Sequence, residues 1–128
     1  MIPKTLAIDF GTKRIGLAIS IATLADPLKI IPNNEDTISE IKKVIKEESI
    51  KQILLGISEK EMADKTKLFA ELLKKEIDLD IIFYDETLSS KETHIKINSS
   101  HMKKSKKRQP IDHYAASQFL QDWIDMEN

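Results

Sequence analysis

The stretch Thr5-Leu6-Ala7-Ile8-Asp9-Phe10-Gly11-Thr12-Lys13-Arg14-Ile15-Gly16-Leu17-Ala18-Ile19 decides the fold, because it joins two apolar runs through a short turn that contains a glycine. Two apolar runs separated in this way predict an antiparallel pair of strands. Asp9 stands at the end of the first run. The pattern therefore predicts a carboxylate at the margin of a sheet, beside a connecting segment of the kind that often carries function.

The rest of the chain predicts an α/β fold. A third strand is predicted at 27–31, bracketed by Pro27 and Pro32, and further strands at 52–57 and 80–84. Apolar spacings of three and four predict helices at 35–48, 59–77 and from Pro110 onward, with a short helix from 89 toward 97. This order predicts a five-stranded mixed sheet, an antiparallel meander continued by parallel strands, flanked by helices.

Length and composition limit the class of protein. The 128 residues predict one domain, 1–128. The absence of cysteine excludes disulfides and thiolate metal ligands. No apolar run approaches the roughly 20 residues that cross a bilayer, and the first strand begins too early for a signal region. We expect a cytoplasmic protein without a membrane partner.

Acidic residues recur in comparable positions. Asp85 and Glu86 follow the predicted strand at 80–84, and Asp112 lies in the first turn of the final helix, on its apolar face. Converging carboxylates hold divalent metal, and oxygen ligands without cysteine favour Mg²⁺ or Mn²⁺ over zinc. Alternatively, Asp9 forms a turn, Asp112 caps its helix and the Asp85-Glu86 pair is a solvated loop.

Basic residues predict a second function, binding to phosphate. A flexible segment at 98–109 is expected to contact a nucleic-acid backbone without reading bases. The alternative is a solvated run of charge. The candidate contacts, including two in the first turn, are Lys13, Arg14, Lys103, Lys104, Lys106, Lys107 and Arg108.

Four motifs together resemble the YqgF family of pre-16S rRNA processing nucleases, also called Holliday-junction-resolvase-like proteins. They are 6–18, Tyr84-Asp85-Glu86-Thr87-Leu88-Ser89-Ser90, Lys106-Lys107-Arg108 and Ile111-Asp112-His113-Tyr114-Ala115-Ala116. The resemblance implies an RNase H-like fold and a metal-dependent nuclease that trims the 5′ end of the small-subunit ribosomal RNA precursor. It also implies that Asp9, Glu86 and Asp112 are catalytic acids and metal ligands, with Asp85 as a further candidate ligand.

The chain departs from the family pattern at two places. The family usually has Gly-Leu-Pro-Leu-Asn-Met-Asp-Gly where this chain has Gly56-Ile57-Ser58-Glu59-Lys60-Glu61-Met62-Ala63, and Thr87 stands where an arginine is expected. Both changes fall in segments that are expected to contact the substrate. Thr87 removes one expected phosphate contact.

Several alternatives stay open at this level. The substrate is precursor rRNA or, alternatively, branched or single-stranded DNA, and the protein is expected to be a monomer or weak homodimer. The first turn also resembles the phosphate loop of actin-like and sugar-kinase ATPases, but those proteins need a second lobe that 128 residues do not provide. A nonenzymatic RNA-binding module of ribosome assembly is the third interpretation.

Overall fold

The structure, a computed structural model, describes residues 2–57, 60–85 and 112–127, and for 60–62 and 112–114 it describes the backbone alone. The predicted helix at 89–97, the basic segment at 98–109 and Glu86 lie outside the described residues. Within the described ranges, no helix combines the length and the apolar character needed to cross a bilayer.

Five strands and three helices make up the described part of the chain. They are β1 (Thr5–Phe10), β2 (Arg14–Ile21), β3 (Leu24–Pro32), α1 (Thr37–Glu48), β4 (Gln52–Ile57), α2 (Lys60–Glu76), β5 (Asp80–Asp85) and α3 (Asp112–Glu127). The strands form one sheet in the order β3-β2-β1-β4-β5. β1 pairs antiparallel with β2 and parallel with β4, so the predicted mixed sheet is confirmed.

Strand alternation divides the core between the two faces of the sheet. Leu6 and Ile8 point to one face, where they pack with residues of α1 and α2. Ala7 points to the other face, where it packs with Phe119 and Leu120 of α3. β1 is therefore central and covered on both sides, which explains why its first four residues are buried.

Three strands have boundaries that differ from the prediction, and one of them is β5, which continues through Asp85. β3 begins at Leu24 rather than at 27, and both Pro27 and Pro32 lie inside it. β3 is an edge strand with a register shift opposite Leu17 and Ala18, and an edge strand tolerates proline because one row of its amides needs no ladder partner. β1 continues through Phe10, so Asp9 is a paired strand residue and the turn begins after it.

Candidate active site

Asp9 lies near the carboxyl end of the central strand, between two glycines. It pairs with Gly16 of β2 on one side and with Gly56 of β4 on the other. Paired residues direct their side chains to the same face of a sheet. The next residues along this row are Ile30 of β3, which pairs with Gly16, and Tyr84 of β5, which pairs with Gly56. The two residues paired directly with the half-buried Asp9 are therefore both glycines, which carry no side chain.

The face that carries Asp9 is the one covered by α3. Ala7, two positions earlier on β1, belongs to the core cluster that contains Ala116 and Leu120 of that helix. Residues two apart on a strand share a face. Asp9 and α3 therefore lie on the same side of the sheet.

One side chain anchors α3 at the margin opposite Asp9. The Gln121 side chain accepts a hydrogen bond from the backbone N–H of Ala25 at 2.8 Å and donates one to the carbonyl of Thr23 at 3.0 Å. Both partners lie near the β2–β3 turn, beside the amino end of β1. Asp112 is the first residue of α3, so the helix begins about 13 Å along its axis from this anchor.

Asp85 points away from the Asp9 face. It follows Tyr84, whose ring stacks on Phe119 of α3 with centroids 5.8 Å apart. Strand alternation then directs the exposed Asp85, which pairs with Ile57, to the face covered by α1 and α2. The structure does not bring Asp85 to the side of the sheet that carries Asp9.

The described residues hold only part of the predicted ligand set. Among them, no group of three or more His, Cys, Asp or Glu side chains could hold a metal ion together. Glu86 and the Asp112 side chain lie outside the described part of the chain. The backbone of Asp112 is placed at the start of α3.

Two predicted phosphate contacts follow Asp9 in the chain, Lys13 in the turn between β1 and β2 and Arg14 at the start of β2. Lys13 and Arg14 are both exposed. Gly11 is required for close packing of this turn, since a Cβ there would meet the carbonyl oxygen of Arg14. The remaining predicted contacts, Lys103, Lys104, Lys106, Lys107 and Arg108, are outside the described residues.

Sequence reasoning missed three residues that shape this region. Gly16 and Gly56 flank Asp9, and Asn33 donates a side-chain hydrogen bond to the Gly11 carbonyl at 2.8 Å. The glycines are visible in the sequence, but their alignment with Asp9 depends on strand register. The Asn33 contact joins residues 22 positions apart, which no local pattern reveals.

The sheet and its helices place the protein among those with an RNase H-like fold. The solved structure of T. thermophilus RuvC in complex with Holliday junction substrate matches with a TM-score of 0.51 and 13% sequence identity, over 66% of this chain and 65% of that chain. At this identity the match concerns the fold alone. The RNase H-like fold implied by the sequence motifs is confirmed.

The particular family follows from the sequence comparison. The model of the family described as "RuvX: Holliday junction resolvase" matches residues 3–126, and the chain belongs to this family. This confirms the resemblance found in the motifs.

Two curated relatives are each 36% identical to this chain over most of their length. Those from Sulfurihydrogenibium sp. (strain YO3AOP1) and Campylobacter lari are each named "Putative pre-16S rRNA nuclease". The first is 36% identical over 95% of this chain and 90% of its own length. The second is 36% identical over 94% of this chain and 96% of its own length.

Proposed function

We propose that this protein is a nuclease that uses Mg²⁺ or Mn²⁺ to hydrolyse phosphodiester bonds in the precursor of 16S ribosomal RNA. The single observation that carries the proposal is the position of Asp9. It is a half-buried carboxylate on the central strand of an RNase H-like sheet, flanked by glycines on both sides. Membership of the RuvX family and the names of the curated relatives support the same function.

We assign Asp9, Glu86 and Asp112 as the catalytic acids that hold the metal. All three are carboxylates, and hard oxygen donors are the ligands that Mg²⁺ and Mn²⁺ prefer. The glycines paired with Asp9 support this assignment, because neither of them adds a side chain directly opposite the carboxylate. Asp85 is left out of the proposed ligand set, since strand alternation directs it to the opposite face.

Each part of the proposed site has its own task. The bound ion supplies activation of the attacking water and neutralisation of charge on the phosphate. The three carboxylates hold and orient it. Lys13, Arg14 and the basic segment bind neighbouring phosphates and align the backbone, which reduces the entropy lost in reaching the reactive geometry.

A second substrate has a specific observation in its favour. The family is described as a Holliday junction resolvase, and the RuvC structure contains a Holliday junction substrate. We therefore keep cleavage of branched DNA as the alternative function. We prefer processing of precursor rRNA because the curated relatives are named for it. With this function we also propose a cytoplasmic location.

The test compares three substrates in one assay. Purified protein is incubated with precursor rRNA, single strands and a four-way junction, in Mg²⁺, in Mn²⁺ and in EDTA. We expect metal-dependent cleavage of the RNA. Preferential cleavage of the junction would instead support the DNA alternative.

Site variants test the three carboxylates. We expect Asp9→Asn, Glu86→Gln and Asp112→Asn each to abolish cleavage, while folding and RNA affinity are largely retained, because only the proposed metal ligands change. Asp80→Asn is the matched control, since Asp80 is exposed at the other end of β5. Normal cleavage by all three variants would favour the nonenzymatic RNA-binding module.

A further inference from the structure

Asn33, directly after β3, is bonded twice to the β1–β2 turn. Its side-chain Nδ2 donates to the carbonyl of Gly11 at 2.8 Å, and its backbone N–H donates to the carbonyl of Lys13 at 2.9 Å. Asn33 is half-buried. The two bonds connect the edge strand to the segment that follows Asp9 and leads into β2.

Asn33 is itself held in a stiff segment. The Thr37 hydroxyl donates to the carbonyl of Pro32 at 2.9 Å and accepts from the N–H of Asn34 at 2.8 Å. Thr37 is only 2% exposed, so water does not compete strongly for these bonds. The residues on both sides of Asn33 are therefore fixed between β3 and α1.

The turn that Asn33 holds carries the exposed Lys13, four positions after Asp9. A cation on a loose turn loses conformational freedom when it binds a phosphate, and a turn that is already ordered avoids part of this cost. We propose that Asn33 is a positioning residue for substrate binding, which acts by holding the turn so that Lys13 meets the nucleic-acid backbone beside Asp9. This inference rests on the proposed function.

The chemistry predicts which kinetic step depends on Asn33. Asn33 acts through the Gly11 carbonyl, and Lys13 contacts a phosphate of the backbone rather than the reacting atoms. Loss of the side-chain bond should therefore weaken binding and leave the chemical step intact. Because the backbone bond to Lys13 does not depend on the side chain, Asn33→Ala loosens the turn without removing it.

The experiment is a double-mutant cycle between Asn33→Ala and Lys13→Ala. The dissociation constant of a fluorescein-labelled single-stranded RNA is measured in Ca²⁺, and KM and kcat for the same RNA in Mg²⁺. One hydrogen bond is worth about 1 kcal/mol, so we expect Asn33→Ala to weaken binding and raise KM about fivefold. We expect kcat to change by less than about twofold.

The cycle separates positioning from general destabilisation. In the Lys13→Ala background, Asn33→Ala should weaken binding by less than about twofold, because the side chain that it positions is gone. Asn34→Ala is the matched control, since the Asn34 side chain accepts from the N–H of Asp36 and serves the start of α1. We expect this control to bind RNA like the unmodified protein.

Three results would overturn the inference. They are additive effects in the cycle, a loss confined to kcat, and an equal loss of binding in Asn34→Ala. If the unmodified protein binds and cuts RNA while the cycle is additive, only the role of Asn33 fails. If the unmodified protein neither binds nor cuts nucleic acid, the proposed function fails as well.

Discussion

At the scale of single residues, Asp9 is distinguished from the other acids by its neighbours on the sheet. Gly16 and Gly56 stand on either side of it, and the next residues in the row are Ile30 of β3 and Tyr84 of β5. Tyr84 is stacked on Phe119. Asp9 is therefore a half-buried acid on a face that is otherwise packed against α3.

The Asp85-Glu86 pair can be separated by substitution. We expect Asp85→Asn to retain metal-dependent cleavage, since Asp85 is exposed on the face opposite Asp9, whereas Glu86→Gln should lose it. The measurement is the cleavage rate at saturating Mg²⁺, with circular dichroism as the check of folding. An equal loss of cleavage in both variants would mean that Asp85 is a metal ligand as well.

The apolar pattern of the sequence predicted the strand-end position of Asp9, whereas the preference for Glu86 over Asp85 rested on the family resemblance alone. Asp9 is marked by the apolar run before it and the turn after it. The face that Asp85 occupies depends on its register with Ile57 and on the packing of Tyr84 against α3. Both are contacts between distant segments, which local patterns do not contain.

At the scale of elements, α1 ends at a strained residue whose replacement should stabilise the protein. Ser49 adopts φ 55° and ψ 46° as the C-cap, and the N–H of Ile50 donates to the carbonyl of Ile45 at 3.0 Å. The left-handed conformation costs a non-glycine residue about 1 kcal/mol or more. We expect Ser49→Gly to raise the free energy of unfolding by about 0.5–1 kcal/mol.

Urea denaturation measures this change, with Ser49→Ala as the control that keeps a Cβ. The alanine variant should be no more stable than the unmodified protein. A Ser49→Gly protein that unfolds at the same urea concentration as Ser49→Ala would contradict the prediction. Ser49 is exposed and lies on the α1–β4 connection, so neither change alters packing of the core.

The placement of α3 depends on Gln121. Its side chain bonds Ala25, Thr23 and, at 3.1 Å, Asp125. We expect Gln121→Ala to lower the free energy of unfolding by at least about 1 kcal/mol, the usual net value of a single hydrogen bond. The free energy of unfolding is measured by chemical denaturation. Glu127→Ala, a change at an exposed position of the same helix, is the control. Identical stability of the two variants would show that Gln121 is not an anchor.

The elements themselves were largely predictable from the sequence, because their apolar spacing reflects burial on the sheet. β3 was the exception. Its prolines suggested boundaries, but as an edge strand it accommodates Pro27 and Pro32 within the pairing. Edge position is a property of the assembled sheet, so the length of β3 could not be read from its own residues.

At the scale of the whole molecule, charge is distributed unevenly. The chain has 20 basic and 21 acidic residues, so its net charge of −1 gives no general attraction for a polyanion. Binding to nucleic acid must then depend on local clusters of cations. The predicted clusters are the β1–β2 turn and the basic segment that precedes α3.

Salt dependence distinguishes local binding from an effect of total charge. We expect replacement of Lys103, Lys104, Lys106 and Lys107 by Ala to weaken RNA binding and to reduce the slope of log K against log salt by up to about 3, since each phosphate contact on a single strand contributes about 0.7. The measurement is a titration of labelled RNA at several salt concentrations.

The matched control removes an equal number of positive charges from exposed positions on α1 and α2, which cover the face opposite Asp9. Its substitutions to Ala are at Lys43, Lys46, Lys65 and Lys67. Equal reductions in the two proteins would mean that net charge governs binding, and an unchanged slope in the first would exclude the basic segment from the nucleic-acid interface.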